Sequence, residues 1–174
     1  MRSGRSLTAW TGAAVLALVL LSSAWWFIGP KYSHAVAASG GALTSPKVRV
    51  SSDGNQIVIV YQGPSESLQL FSIVRGLTLS FGPILLTALI LATLSCSWRR
   101  RLAAVAVSWA GFFLVHVLTV TLLGWGVFWT MEGGPVTLAG LRPVVPLAYM
   151  ALPAVVGAAW CLRYWFPVLS VSKQ

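Results

Sequence analysis

Acidic residues are almost missing from this chain: 174 positions hold three of them, Asp53, Glu66 and Glu132. Charge of either sign is scarce as well, at 9% of residues against roughly 25% in soluble domains, while 57% are apolar and mean hydropathy is +0.80. A soluble catalytic domain and a disordered tail are both excluded by that balance. With two cysteines, Cys96 and Cys161, the chain is no disulfide scaffold. Paired carboxylates, HExxH, Gly-x-Ser-x-Gly and a phosphate loop are all absent, which removes the reaction classes that need them. The net charge of +9 is dispersed as short punctuation between apolar runs rather than gathered on one face, so nucleic acid is not an expected partner.

What is present is four long uncharged runs, Leu7 to Gly29, Gly76 to Trp98, Leu102 to Met131 and Pro143 to Leu162. Twenty helical residues cover ~30 Å, the thickness of a hydrocarbon core, so each run is long enough to span. Gly124, Gly126 and the stretch from Thr130 to Pro135 place the end of the third helix near Trp125 to Trp129. Arg2 and Arg5 precede the first run, Arg99, Arg100 and Arg101 fill the turn between the second and third, and Arg163 and Lys173 follow the fourth. These acid-free flanks read as cytoplasmic, with both termini inside a bacterial cytoplasmic (inner) membrane. Trp10, Trp98, Trp160 and Trp165 fall at inner ends and Trp25, Trp26, Trp125 and Trp129 at outer ends, as two aromatic belts that only Trp109 escapes. Although Ala35-Val36-Ala37 has the form of a signal cleavage site, the first run exceeds the 7 to 15 residues typical of a signal core and reads as an anchor.

The expected fold is therefore an all-α integral membrane protein, four transmembrane helices with a small extracytoplasmic β-hairpin between helices 1 and 2. Residues 1–29 form the N-terminal tail and first span, 30–75 the exported loop, 76–166 the three-helix region and 167–174 a cytoplasmic tail. Within the loop, Lys47 to Val50 and Gln56 to Tyr61 read as strands around the turn Ser52-Asp53-Gly54-Asn55, giving a hairpin over 47–62. Residues Ser65 to Arg75 read as an interfacial lead into the second span. Strand residues Ile57 to Tyr61 are apolar on both faces, and a lone hairpin cannot bury them. Ile57, Val58, Ile59 and Tyr61 are thus candidates for docking onto a partner.

His116 is the titratable side chain deep within a run. At 100° per residue, Ser108, Gly111, His116 and Thr119 lie within about 140° of one another and form a polar stripe. We read Ser108, His116 and Thr119 as an interhelix polar contact rather than as ligands of a haem or metal, and expect no cofactor. Thiol catalysis is disfavoured, because Cys96 and His116 are separated by ~20 Å of helical rise. Arg99 to Arg101 could meet anionic headgroups but serve first as an orientation signal. In the fourth run, Pro143, Pro146 and Pro153 start or kink the helix, and Ala154, Gly157 and Ala158 give it a smooth packing surface.

The stretch Leu79-Ser80-Phe81-Gly82-Pro83-Ile84-Leu85-Leu86-Thr87-Ala88-Leu89-Ile90-Leu91-Ala92-Thr93 resembles a segment of the small exosortase-associated membrane proteins, the type that accompanies exosortase H. The order that follows is similar too: the turn Arg99-Arg100-Arg101, a long third run, Leu147 to Val156, and Trp160. The resemblance covers roughly 75 to 165. It departs at Arg142-Pro143, and the exported hairpin has no counterpart in it. It implies a non-catalytic accessory subunit whose partners are membrane lipids and an exosortase-like transpeptidase that sorts proteins by a C-terminal signal. The rival readings are a small subunit of a transport or redox complex, and a membrane thiol enzyme dependent on Cys96, Cys161 or His116.

Overall fold

The computed structural model describes residues 7–63, 71–74, 76–135, 138–141 and 144–165. Arg2, Arg5, Glu66, Arg142, Pro143 and the expected tail 167–174 lie outside them. The chain is mostly helical. Helix α1 runs Leu7–Gly41, then β1 (Val48–Asp53), β2 (Gln56–Tyr61) and β3 (Phe71–Val74) form a sheet, followed by α2 (Gly76–Leu91), α3 (Trp98–Glu132), α4 (Leu138–Leu141) and α5 (Val144–Tyr164).

Two of these helices are long and apolar enough to cross a membrane, Ala9–Gly41 and Trp98–Glu132. The expected count of four is not reached on that measure. Helix α2 has 16 residues because the second run leaves the helix at Leu91 and turns through 92–97. Thr93 N–H bonds Ile90 and Cys96 N–H bonds Thr93 there, both closing shorter loops than an α-turn.

Helices α1 and α3 depart from expectation in the other direction. Each has 35 residues, about 52 Å at 1.5 Å per residue, far beyond a 30 Å hydrocarbon core. The Gly29-Pro30 pair reads as a stop, yet α1 passes through Pro30 for eleven more residues. Proline removes one backbone bond, and tertiary burial outweighs that loss: Ser33, Val36 and Ala37 beyond it are buried. Helix α3 ends at Glu132, where Gly134 N–H reaches back to the Trp129 carbonyl at 2.8 Å in a Schellman closure around Gly133.

Side-chain pairs fix the helix directions. Trp25 meets Trp109, Tyr32 meets His116 and Thr121 bonds the Gly40 carbonyl, so α1 and α3 run the same way. Thr87 meets Trp109 and Gly82 lies against Phe112, so α2 runs opposite to α3. Gly82 also lies against Pro153, and Thr93 accepts from Trp160, so α5 runs with α2. At Gly40 the backbones approach so closely that a Cβ would stand 2.6 Å from Val120 Cγ1.

The sheet is an antiparallel meander in the order β1-β2-β3. Gly54, at φ 54°, takes the first position of the two-residue β1–β2 loop, as a type II′ turn requires. The third strand corrects the two-stranded hairpin, because Phe71–Val74 pairs with β2 (Ile57 with Val74, Val60 with Phe71) instead of lying at the interface.

Two cores result. One holds Ile57, Ile59 and Tyr61 against Val36 and Ala37 of α1 and Val117, Val120, Leu123 and Val127 of α3. The other joins Leu86, Ile90 and Phe112, with Val156 and Trp160 packed against them. The chain is thus a head, where the sheet rides on the far halves of α1 and α3, and a stem, where the near halves meet α2 and α5.

Candidate functional site

Where stem meets head, α1 and α3 are joined by a polar contact inside an aromatic cluster. His116 is fully buried, and its Nδ1 lies 2.7 Å from the Tyr32 hydroxyl. With the ring proton on Nε2, the tyrosine donates and Nδ1 accepts. Trp109 and Phe113 stand edge-on to Tyr32 at 5.9 and 6.1 Å, and Trp25 closes the side at 5.5 Å.

The rest of the expected stripe does not join this contact. Thr119 is buried and donates to the Val115 carbonyl of its own helix at 2.8 Å. Gly111 faces open space, and Ser108 is half-buried. Tyr32 is the residue that sequence reasoning missed, since Gly29-Pro30 placed it beyond the first helix. Trp109, outside the two-belt scheme, lies level with Trp25, and its Nε1 donates to Thr87 at 2.8 Å, whereas Trp125 reaches the Leu43 carbonyl at 3.1 Å, eighteen residues beyond Trp25, so Trp25 and Trp125 do not form one outer belt.

The docking candidates lie elsewhere than proposed from the sequence. Ile57, Ile59 and Tyr61 are buried beneath the sheet within this chain, so they are covered by α1 and α3 and not offered to a partner. Val58 points to the other face and is half-buried. Tyr61 has a further task, donating from its hydroxyl to Glu132 Oε1, which also receives Lys47 Nζ at 2.7 Å. This shared carboxylate oxygen ties β1 and β2 to the end of α3. The hydrogen bond to Glu132, reinforced by its charge, raises the Lys47 pKa above 10.5; the hydrogen bond to Glu132, with burial, raises that of Tyr61 above 10.0.

At the opposite end, a single hydroxyl joins the ends of α2 and α5. Thr93 Oγ1 donates to the Leu89 carbonyl at 2.9 Å and accepts from Trp160 Nε1 at 2.8 Å and Trp165 Nε1 at 3.0 Å. One donor and two lone pairs are all used. Trp10 stands edge-on to Trp165 at 5.1 Å, bringing the start of α1 to this end too. Beside it, Arg101 donates to the Leu91 carbonyl at 2.8 Å with its guanidinium 5.2 Å from the Trp98 ring.

Among the described residues, no three of His, Cys, Asp and Glu gather as metal ligands. Both cysteines are free thiols, Cys96 buried and Cys161 half-buried. His116 lies eighteen residues beyond Trp98, about 27 Å along α3, so the geometry does not bring Cys96 and the imidazole together. Neither family models, curated proteins nor solved structures give a match to this sequence.

Proposed function

We propose that this chain is a non-catalytic accessory subunit of a bacterial cytoplasmic membrane, crossing it four times with both termini inside. The observation that carries this reading is the fastening of the sheet to the far halves of α1 and α3 through Ile57 and Ile59. Helices and head then move as one piece, which suits holding or positioning a partner. The four-span arrangement is supported by the level at which α2 and α5 meet the stem and by the apolar side chains they leave exposed, Phe81, Leu85, Val155 and Leu162. Helix α2, at about 24 Å, is several ångströms short of the core, a mismatch that local thinning of the bilayer accommodates.

The partner we propose is an exosortase-type transpeptidase, on the resemblance of 79–93 and 147–156. Affinity purification of the tagged chain in mild detergent, with identification of what copurifies, tests it. Recovery of a polytopic membrane enzyme whose activity depends on its own cysteine is the expected outcome. Recovery instead of a transporter or a cofactor-bearing redox subunit would overturn the assignment.

A further inference from the structure

The stem end carries an electrostatic imbalance. Helix α3 opens as Trp98-Arg99-Arg100-Arg101, with no acid in its first turn and no side-chain cap from Ser97. Cations at the N-terminal end of a helix meet the positive pole of its dipole and lose stability there. Arg101 is compensated within the chain, by the Leu91 carbonyl at the C-terminal end of α2 and by the face of Trp98. Arg99 and Arg100 are exposed, and no acid of the described residues serves them: Glu132 pairs with Lys47 and Asp53 closes β1, both in the head. Trp98 is 56% exposed beside them. Buried Trp10 and half-buried Trp160 and Trp165 gather at the same end around Thr93. In the four-span arrangement proposed above, these two guanidinia stand at the depth of lipid phosphate. Their planar forks suit phosphate oxygens, and the indole suits the adjoining glycerol region.

We propose that Arg99 and Arg100, flanked by Trp98 and braced by Arg101, form a binding site for the phosphate of an anionic phospholipid in the leaflet at this end. The site rests on the membrane reading above. It adds to orientation, since the arginines that set topology during insertion then hold a headgroup in the finished protein.

Native mass spectrometry of the detergent-purified chain, titrated separately with phosphatidylglycerol and phosphatidylcholine of identical acyl chains, tests the site. We expect phosphatidylglycerol to bind more tightly. At about fivefold per arginine, Arg99→Gln/Arg100→Gln should weaken it roughly 25-fold. Arg99→Lys/Arg100→Lys, which keeps the charge and the insertion signal but loses the planar forks, should retain the preference at reduced affinity, and Arg49→Gln in the head should leave both unchanged. Equal affinity of the unaltered chain for the two lipids overturns the site even if the glutamine variant fails to fold. Displacement of phosphatidylglycerol by 10 mM inorganic phosphate assigns the arginines to free phosphate and overturns it as well. Recovery of the chain in the soluble fraction of cells overturns the membrane reading itself, whereas a membrane-bound chain without lipid preference overturns this site alone.

Discussion

The hydroxyl of Tyr32 is a small group with a large consequence, because it meets an imidazole that the apolar stem cannot hydrate. Removing it with Tyr32→Phe leaves His116 Nδ1 buried without that partner, a loss of ~1–3 kcal/mol for a buried group and nearer 1 kcal/mol by the measured scale of cross-helix bonds in membranes. We expect Tm in detergent, followed by near-UV circular dichroism, to fall by about 2–4 °C per kcal/mol. His116→Gln keeps a side-chain acceptor and should fall less; an equal fall in both would deny the hydrogen bond its role. In the head, the raised pKa values of Lys47 and Tyr61 fix a different dependence. Both groups contribute fully below their ordinary values of 10.5 and 10.0, and the contribution disappears as pH rises through the higher folded values. The sheet should therefore hold steady from pH 6 to 9 and loosen above about 10, an alkaline step that Glu132→Gln should diminish.

At the scale of elements, the sheet depends on the helices it covers. Ile57 and Ile59 each contribute ~1.5–3 kcal/mol by burial, and a carboxylate in either place would have no partner among Val36, Val117, Val120 and Val127. Ile57→Asp or Ile59→Asp should open the head to limited proteolysis within 47–62 while the chain still inserts, whereas Val58→Asp, on the half-buried face, should resist cleavage far better. Similar cleavage of all three would show that the sheet is not seated on its inner face. The hairpin itself was legible in the sequence, because alternation and an Asp-Gly pair are local signals. Its cover was not: Val36 and Ala37 lie beyond a Gly-Pro pair that reads locally as a helix stop, and only long-range burial carries α1 through it. Strand β3 was missed for a related reason, since four residues hold too little pattern to outweigh the helical run that follows. His116 could be singled out by its depth, but a hydrogen bond spanning 84 residues leaves no local trace of Tyr32.

For the whole molecule, the levels of the side chains set where a bilayer fits. From Trp10 to Gly29, α1 covers nineteen steps, about 28 Å, close to a hydrocarbon core. Just beyond stand exposed Lys31 and His34, and the polar β1–β2 turn reaches the same height, with Asn55 against Gly29 and Ser52 3.3 Å from His34. Under the proposed four-span reading, the polar turn and the exposed lysine at one level are taken as the outer boundary, which leaves the last dozen residues of α1 and the end of α3 outside the membrane with the sheet. On this arrangement, with Cys96 and Cys161 replaced by Ser, a cysteine at exposed Ala38 or Leu43 should react with a membrane-impermeant maleimide in intact, outer-membrane-permeabilised cells. A cysteine at exposed Leu18, inside the proposed first span, should stay unreacted, and one at Arg100 should react only after the inner membrane is opened. Labelling at Arg100 from outside would invert the topology. Protection at Ala38 and Leu43 together would place the head within the membrane and overturn this arrangement.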